Sequence, residues 1–323
     1  MASIRRELAA LIERRAIPHE HVARAVSLSG LYPSGRAWQV FLDRLLLWLG
    51  SLALVFGLLF LIAYNWSEMG RWQRFGLVQA ALVTAIGVYW WAEGRGVVAR
   101  VALTAASLLL GVLLALFGQV YQTGADPWQL FVAWALLMLP WALVARFDVL
   151  WVLWLGLLNL AVALYFRTWG GALDVLFLGG EAALWGVFLL NTAALAAWEL
   201  GARRRRWLSV GWATRLLAVG SGVPITLLAM VPLIEERLSF TPALLAFAAW
   251  LAALYAVYRH WRPDLFMLAE GCLSLIAVIT LSLARHLLWH TEAGGFLLLA
   301  VVVLGLGAAG VFWLKRLQRE ITT

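Results

Sequence analysis

About ten stretches of roughly 20 mainly apolar residues follow one another along this chain, and each is long enough to cross a bilayer as a helix. They run 45–65, 74–92, 99–120, 128–145, 149–166, 173–198, 215–234, 240–258, 264–285 and 294–314. Inside lipid, backbone N–H and C=O groups find no water, so such stretches must satisfy their own hydrogen bonds as helices. The expected fold is an all-α integral membrane protein, a bundle of about ten transmembrane helices with a short N-terminal cytoplasmic helical hairpin. The expected domains are 1–44 (hairpin and interfacial segment), 45–316 (polytopic transmembrane domain) and 317–323 (cytoplasmic tail). Composition agrees: 13% of the 323 residues are charged, against about 25% in average soluble domains. Many of the 20 Trp flank apolar runs, where amphipathic rings favour the membrane interface.

The net charge of +8 does not point to nucleic acid, because the basic residues sit at the ends of apolar runs rather than on one soluble face. They fix an orientation instead. With the N-terminus in the cytoplasm, only Arg71, Arg74, Arg167, Arg237 and Arg285 of the 25 Lys and Arg fall outside. This bias predicts a multi-pass protein of the bacterial inner membrane with both termini cytoplasmic. No cleavable signal peptide is expected, since polar residues open the chain and the first apolar run is long enough to span. The single Cys272 excludes an intrachain disulfide and a thiolate cluster.

Residues 2–40 are the one soluble-looking piece. Ile4, Leu8, Leu11 and Ile12 recur at helical spacing, and Pro18 suits the start of a second helix. The stripe fits a cap on the membrane domain or a partner-docking module. An interfacial stretch, 38–44, is expected before the first span. In the seventh run, Gly220-Ser-Gly222 with Pro224 and Pro232 predicts a kinked or partly unwound helix. In the tenth, Gly305, Gly307 and Gly310 form a small-residue face suited to close packing.

Two polar turns share the expected outer side. One is Tyr64-Asn-Trp-Ser-Glu68. The other is Gly118-Gln-Val-Tyr-Gln-Thr-Gly-Ala-Asp126. Ile62-Ala-Tyr-Asn-Trp66, Arg74, the Gly118–Asp126 segment and the lead-in with Glu7 and Ile17-Pro-His-Glu20 resemble a bacterial family of predicted membrane proteins, domain of unknown function 2157. The resemblance covers roughly residues 1–145. It implies an integral inner-membrane protein and carries over no catalytic residue.

The candidate outer polar site is Asn65, Trp66, Gln119, Tyr121, Gln122 and Asp126. Gln119 and Gln122 share a helix face if the third span continues that far. Gln119, Tyr121 and Gln122 either line an outer cavity or hydrogen-bond within the bundle. Asp126 before Pro127 reads as a helix N-cap or as a ligand contact. Ionisable residues at bilayer depth are costly and therefore informative. Glu181, some eight residues inside the sixth run, reads as a proton or cation site or as a hydrogen-bonded packing residue. Glu270, in the ninth, reads likewise, or as a partner of Arg259 or Arg262. Asn159 and Asn191 are further polar points.

His286, His290 and Glu292 match no complete metal motif, and no metal or cofactor is expected. No Walker loop, nucleophile elbow or dinucleotide fingerprint occurs, so an enzyme is not expected. The partners expected are the lipid bilayer and, beyond it, a membrane-protein partner or a homo-oligomer. Two functions fit: a transporter- or channel-like protein with an outer-face polar site, or a non-transporting scaffold or assembly factor for an envelope complex. Ten helices also allow an inverted repeat, although no internal similarity is visible.

Overall fold

The computed structural model describes residues 2–30, 34–93, 96–169, 180–202, 211–234, 241–288 and 293–322. Among them the regular structure is helical throughout. Nine helices among the described residues are long and apolar enough to cross a membrane. The chain divides into two compact units, Met1–Leu113 and Leu114–Thr323.

The first unit opens with α1 (Ala2–Glu13), a 3-10 turn (His19–His21) and α2 (Val22–Leu28). The expected burial of the α1 stripe is incomplete: Ile4 and Leu11 are 42% and 43% exposed. Helix α3 (Gly35–Tyr64) starts at Ser34, whose side chain accepts a 3.2 Å hydrogen bond from the Ala37 N–H. It is one helix of 30 residues, about 45 Å long at 1.5 Å per residue. The expected interfacial stretch is therefore its first turns rather than a separate segment.

Helix α4 (Arg71–Trp91) occupies the second expected span but is not among the nine sufficiently apolar helices. Arg71, Gln73 and Arg74 in its first turn and Tyr89, Trp90 and Trp91 in its last are interfacial residues, leaving a shorter apolar middle. Helix α5 (Gly96–Tyr121) crosses the division between the units. Within the first unit, α3, α4 and α5 line an apolar groove of about 640 Å³ that includes Gly50, Ala81, Thr84 and Ala105.

The second unit holds α6 (Pro127–Ala145), α7 (Asp148–Trp169), α8 (Gly180–Ala202), α9 (Gly211–Ile234), α10 (Pro242–Ala256), α11 (Leu265–Leu288) and α12 (Ala293–Thr322). Left-handed Arg146, at φ 48°, turns the chain between α6 and α7. Helix α9 carries the core. Ala218, Ile225, Leu228 and Ala229 pack with Leu184 and Phe188 of α8, Phe247 and Trp250 of α10, and Met267 and Leu268 of α11. Burying a large apolar side chain contributes about 1.5–3 kcal/mol where water is the alternative. In lipid, close packing and hydrogen bonds supply the specificity instead.

Helix α9 is not unwound: it is continuous from Gly211 to Ile234 with Pro224 and Pro232 inside it. Pro224 has no N–H to offer the Gly220 carbonyl. Two hydroxyls nearby bond the backbone on either side of that carbonyl. Ser221 Oγ donates to the Ala218 carbonyl at 2.8 Å and Thr226 Oγ1 to the Gly222 carbonyl at 2.6 Å. Close neighbours on both sides hold the helix together.

Helix α10 ends in a π-helical turn, Val257–Trp261, a distortion frequent at functional sites. Within it, Arg259 pairs with Glu320 of α12 at 2.6 Å. Trp212 Nε1 donates to Asp148 at 2.6 Å. These contacts gather the α6–α7 turn, the start of α9, the end of α10 and the end of α12 at one end of the unit.

Candidate functional site

The expected outer polar residues fall in both units, Asn65 and Trp66 in the first and Gln119, Tyr121, Gln122 and Asp126 in the second. In the first unit, Asn65 caps α3, its Nδ2 donating to the Leu61 carbonyl at 2.8 Å. The Arg74 guanidinium lies 3.8 Å from the Trp66 ring centroid and donates to the Trp66 carbonyl. That cation–π contact explains why Trp66 and Arg74 occur together. In the second unit, Gln119, Tyr121 and Gln122 are exposed. Gln119 and Gln122 do not share a helix face: α5 ends at Tyr121, and Gln122 is left-handed, at φ 44°. Tyr121 packs on Phe117 of its own helix. Asp126 is the N-cap residue of α6, with Pro127 in the first turn, but its side chain makes no capping hydrogen bond.

Glu181 lies in the first described turn of α8, with an exposed side chain. Residues 203–206, His290 and Glu292, and the side chain of His286, lie outside what is described. Among the described residues, no group of three His, Cys, Asp or Glu is arranged to hold a metal.

The polar side chains that converge do so on α9. On one flank, Asn159 of α7 and Asn191 of α8 form a reciprocal amide pair, at 3.2 Å from Asn159 Nδ2 and 2.6 Å from Asn191 Nδ2. Each amide also donates to its own helix, to Leu155 and Val187 respectively. Gly220 of α9 packs against this pair, and a Cβ there would lie 2.9 Å from Asn191 Oδ1. The pair walls an apolar cavity of about 400 Å³ between α7, α8 and α9 that includes Gly156, Val187 and Pro224.

On the other flank, Glu270 of α11 meets Gly222. A Cβ on Gly222 would overlap Glu270 Oε1 and come within 3.0 Å of the Trp250 ring. Only glycine permits this approach. Both Glu270 oxygens are buried, and neither has a hydrogen-bond partner among the described residues. The expected alternative partners are engaged elsewhere, Arg259 with Glu320 and Arg262 with Glu199. Trp250 Nε1 donates to Ser221 Oγ at 3.3 Å. One turn along, the hydroxyls of Thr226 and Ser274 are in hydrogen-bond contact. Asn159, Asn191 and Glu270 stand out in the sequence. Trp250, Ser221, Thr226 and Ser274 do not, being isolated residues in apolar runs.

A second polar cluster closes the end of the same unit. Tyr258 donates to Glu199 at 3.0 Å, and Arg262 holds the other Glu199 oxygen. Arg215 forks onto Asp264 at 3.0–3.3 Å. Glu199, Tyr258, Arg262 and Asp264 border a polar cavity of about 240 Å³. Its charges are paired, which suits a structural clamp on four helix ends.

Residues 9–151 match the family model described as Predicted membrane protein (DUF2157). The resemblance read from the polar turns holds over that span. The DUF2157 match takes in Asn65, Trp66, Gln119, Tyr121, Gln122 and Asp126, whereas Asn159, Asn191 and Glu270 lie beyond it. No curated protein and no solved structure matches the chain.

Proposed function

We propose that this chain is a transporter-like protein of the bacterial inner membrane, not an enzyme, and that its working site is the polar seam on α9 rather than the outer turns. The observation carrying this reading is Glu270, a carboxyl group buried within the helices with no partner among the described residues. Such a group is costly in lipid surroundings and is kept where it binds or relays something. Around it, α9 has features of a helix that changes neighbours, with two close-approach glycines and a proline between flanks that face different helices. Arg146, Arg215, Arg259 and Arg262 cluster with the α12 terminus at one end, which favours a cytoplasmic position for that end and for the C-terminus.

Accessibility separates a working site from packing. In a Cys272→Ser background, Ser221→Cys and Ser274→Cys test whether water reaches two buried positions of the seam. A membrane-impermeant thiol reagent should label both from an aqueous side during turnover of conformations. Complete protection from both sides would remove the transporter reading. A scaffold is the second reading, favoured by α12. None of its spanning window is buried, and a Cβ at Gly305 or Gly307 would meet nothing within 4 Å, which suits a partner helix or a second copy.

A further inference from the structure

We propose that Glu270 is a proton-binding site, protonated while α9 and α11 are packed as described, and that release of its proton opens this helix contact to water. The inference rests on the seam being the working site and names the ion that acts there. The groups placed against the carboxyl by α9 and α10 are uncharged, and on α12, which also packs on α11, Arg316 is paired with Glu320 and Lys315 is the cation beside it. Helix α9 presents Gly222, with Ser221 beside it, and α10 presents the Trp250 ring. Helix α11 itself carries Ser274 one turn on, already in contact with Thr226.

The nearest expected cations, Arg259 and Arg262, are held by carboxylates at the unit's end. An unpaired carboxylate ion in such a place loses its hydration without compensation, whereas the neutral acid does not. A metal cation is a poorer occupant. Hard cations take several oxygen ligands, while one Glu270 oxygen is pressed onto the Gly222 backbone and the indole closes over the same position. A proton needs no added volume. When it leaves, the charge favours water and Glu270 must move off Gly222. Because Gly222 lies between the Pro224 turn and the Ser221–Trp250 hydrogen bond, that movement bears on α9 and α10 together. The exchange balances simply: one proton passes between the carboxyl group and water, and no other bond is made or broken.

The experiment uses the full chain in liposomes carrying Cys272→Ser and Ser274→Cys, with and without Glu270→Gln. The thiolate fraction of any cysteine rises with pH, so the readout is the labelling rate with Glu270 present divided by the rate in the Glu270→Gln background. That ratio should rise roughly tenfold or more between about pH 5 and about pH 9, with sodium held constant. A ratio independent of pH would overturn the proton site while leaving the seam accessible and the transporter reading intact. A ratio that follows sodium at constant pH would overturn it in favour of a metal cation. Labelling absent at every pH would remove the transporter reading instead. The proton site is then decided by infrared difference spectra of protein with isotope-labelled Glu. A protonated-carboxyl band present in the parent and lost in Glu270→Gln upholds it, and no such band overturns it.

Discussion

The Gly118–Asp126 turn and the α9 seam are both rich in polar groups, yet the second unit treats them in opposite ways. At the turn, Gln119, Tyr121 and Gln122 are exposed at a helix terminus, where polar groups can be satisfied from outside. In the seam, single polar residues from α7, α8, α9, α10 and α11 meet inside the unit, and most are tied by hydrogen bonds. Glu270 alone among these seam residues is buried without such a tie among the described residues. Consecutive polar residues therefore mark an end of this bundle. Polar residues dispersed over several apolar helices mark its interior.

The largest effect should come from Gly222→Leu. Its side chain must displace both the Glu270 carboxyl and the Trp250 ring, and overpacking of this kind costs about 1–3 kcal/mol or more. A melting temperature in detergent equal to the parent's would break the claim that the seam is tightly packed. Asn191→Leu should follow, because it leaves Asn159 Oδ1 without its 2.6 Å donor. A buried group stripped of its partner costs about 1–3 kcal/mol, and restoration by Asn159→Leu in the double mutant would sharpen the assignment to the pair.

Glu199→Gln should cost less, about 1 kcal/mol or below. Its partner Arg262 is 37% exposed, and solvent screens such pairs. Its check is denaturant unfolding at low and high salt, with the difference shrinking in salt. The triple variant Gln119→Ala, Tyr121→Phe, Gln122→Ala should change stability by only about 0.5 kcal/mol. A loss as large as that of Asn191→Leu would show the turn to be part of the packed interior.

Helical class and the positions of the long helices are legible in the sequence because apolar length is a local property. The path of α9 is not. Gly220, Gly222 and Pro224 announce a weak backbone, but the helix is continuous and packed between neighbours from other helices, which the local sequence does not name. The Asn159–Asn191 pair is visible only as two isolated amides, since 32 residues separate them. Glu270 is recognisable as costly wherever it sits, whereas the glycine and indole that enclose it belong to other helices.

The most direct test sets the two regions against each other in one deletion strain, under a condition where loss of the protein impairs growth. Glu270→Gln and the triple turn variant are expressed to equal levels, and the melting temperature of each purified protein is measured alongside. The proposed working site predicts that Glu270→Gln keeps its melting temperature and fails to restore growth, while the turn variant restores it. Full restoration by Glu270→Gln, with failure of an equally stable turn variant, would contradict it and return the working site to the outer polar residues.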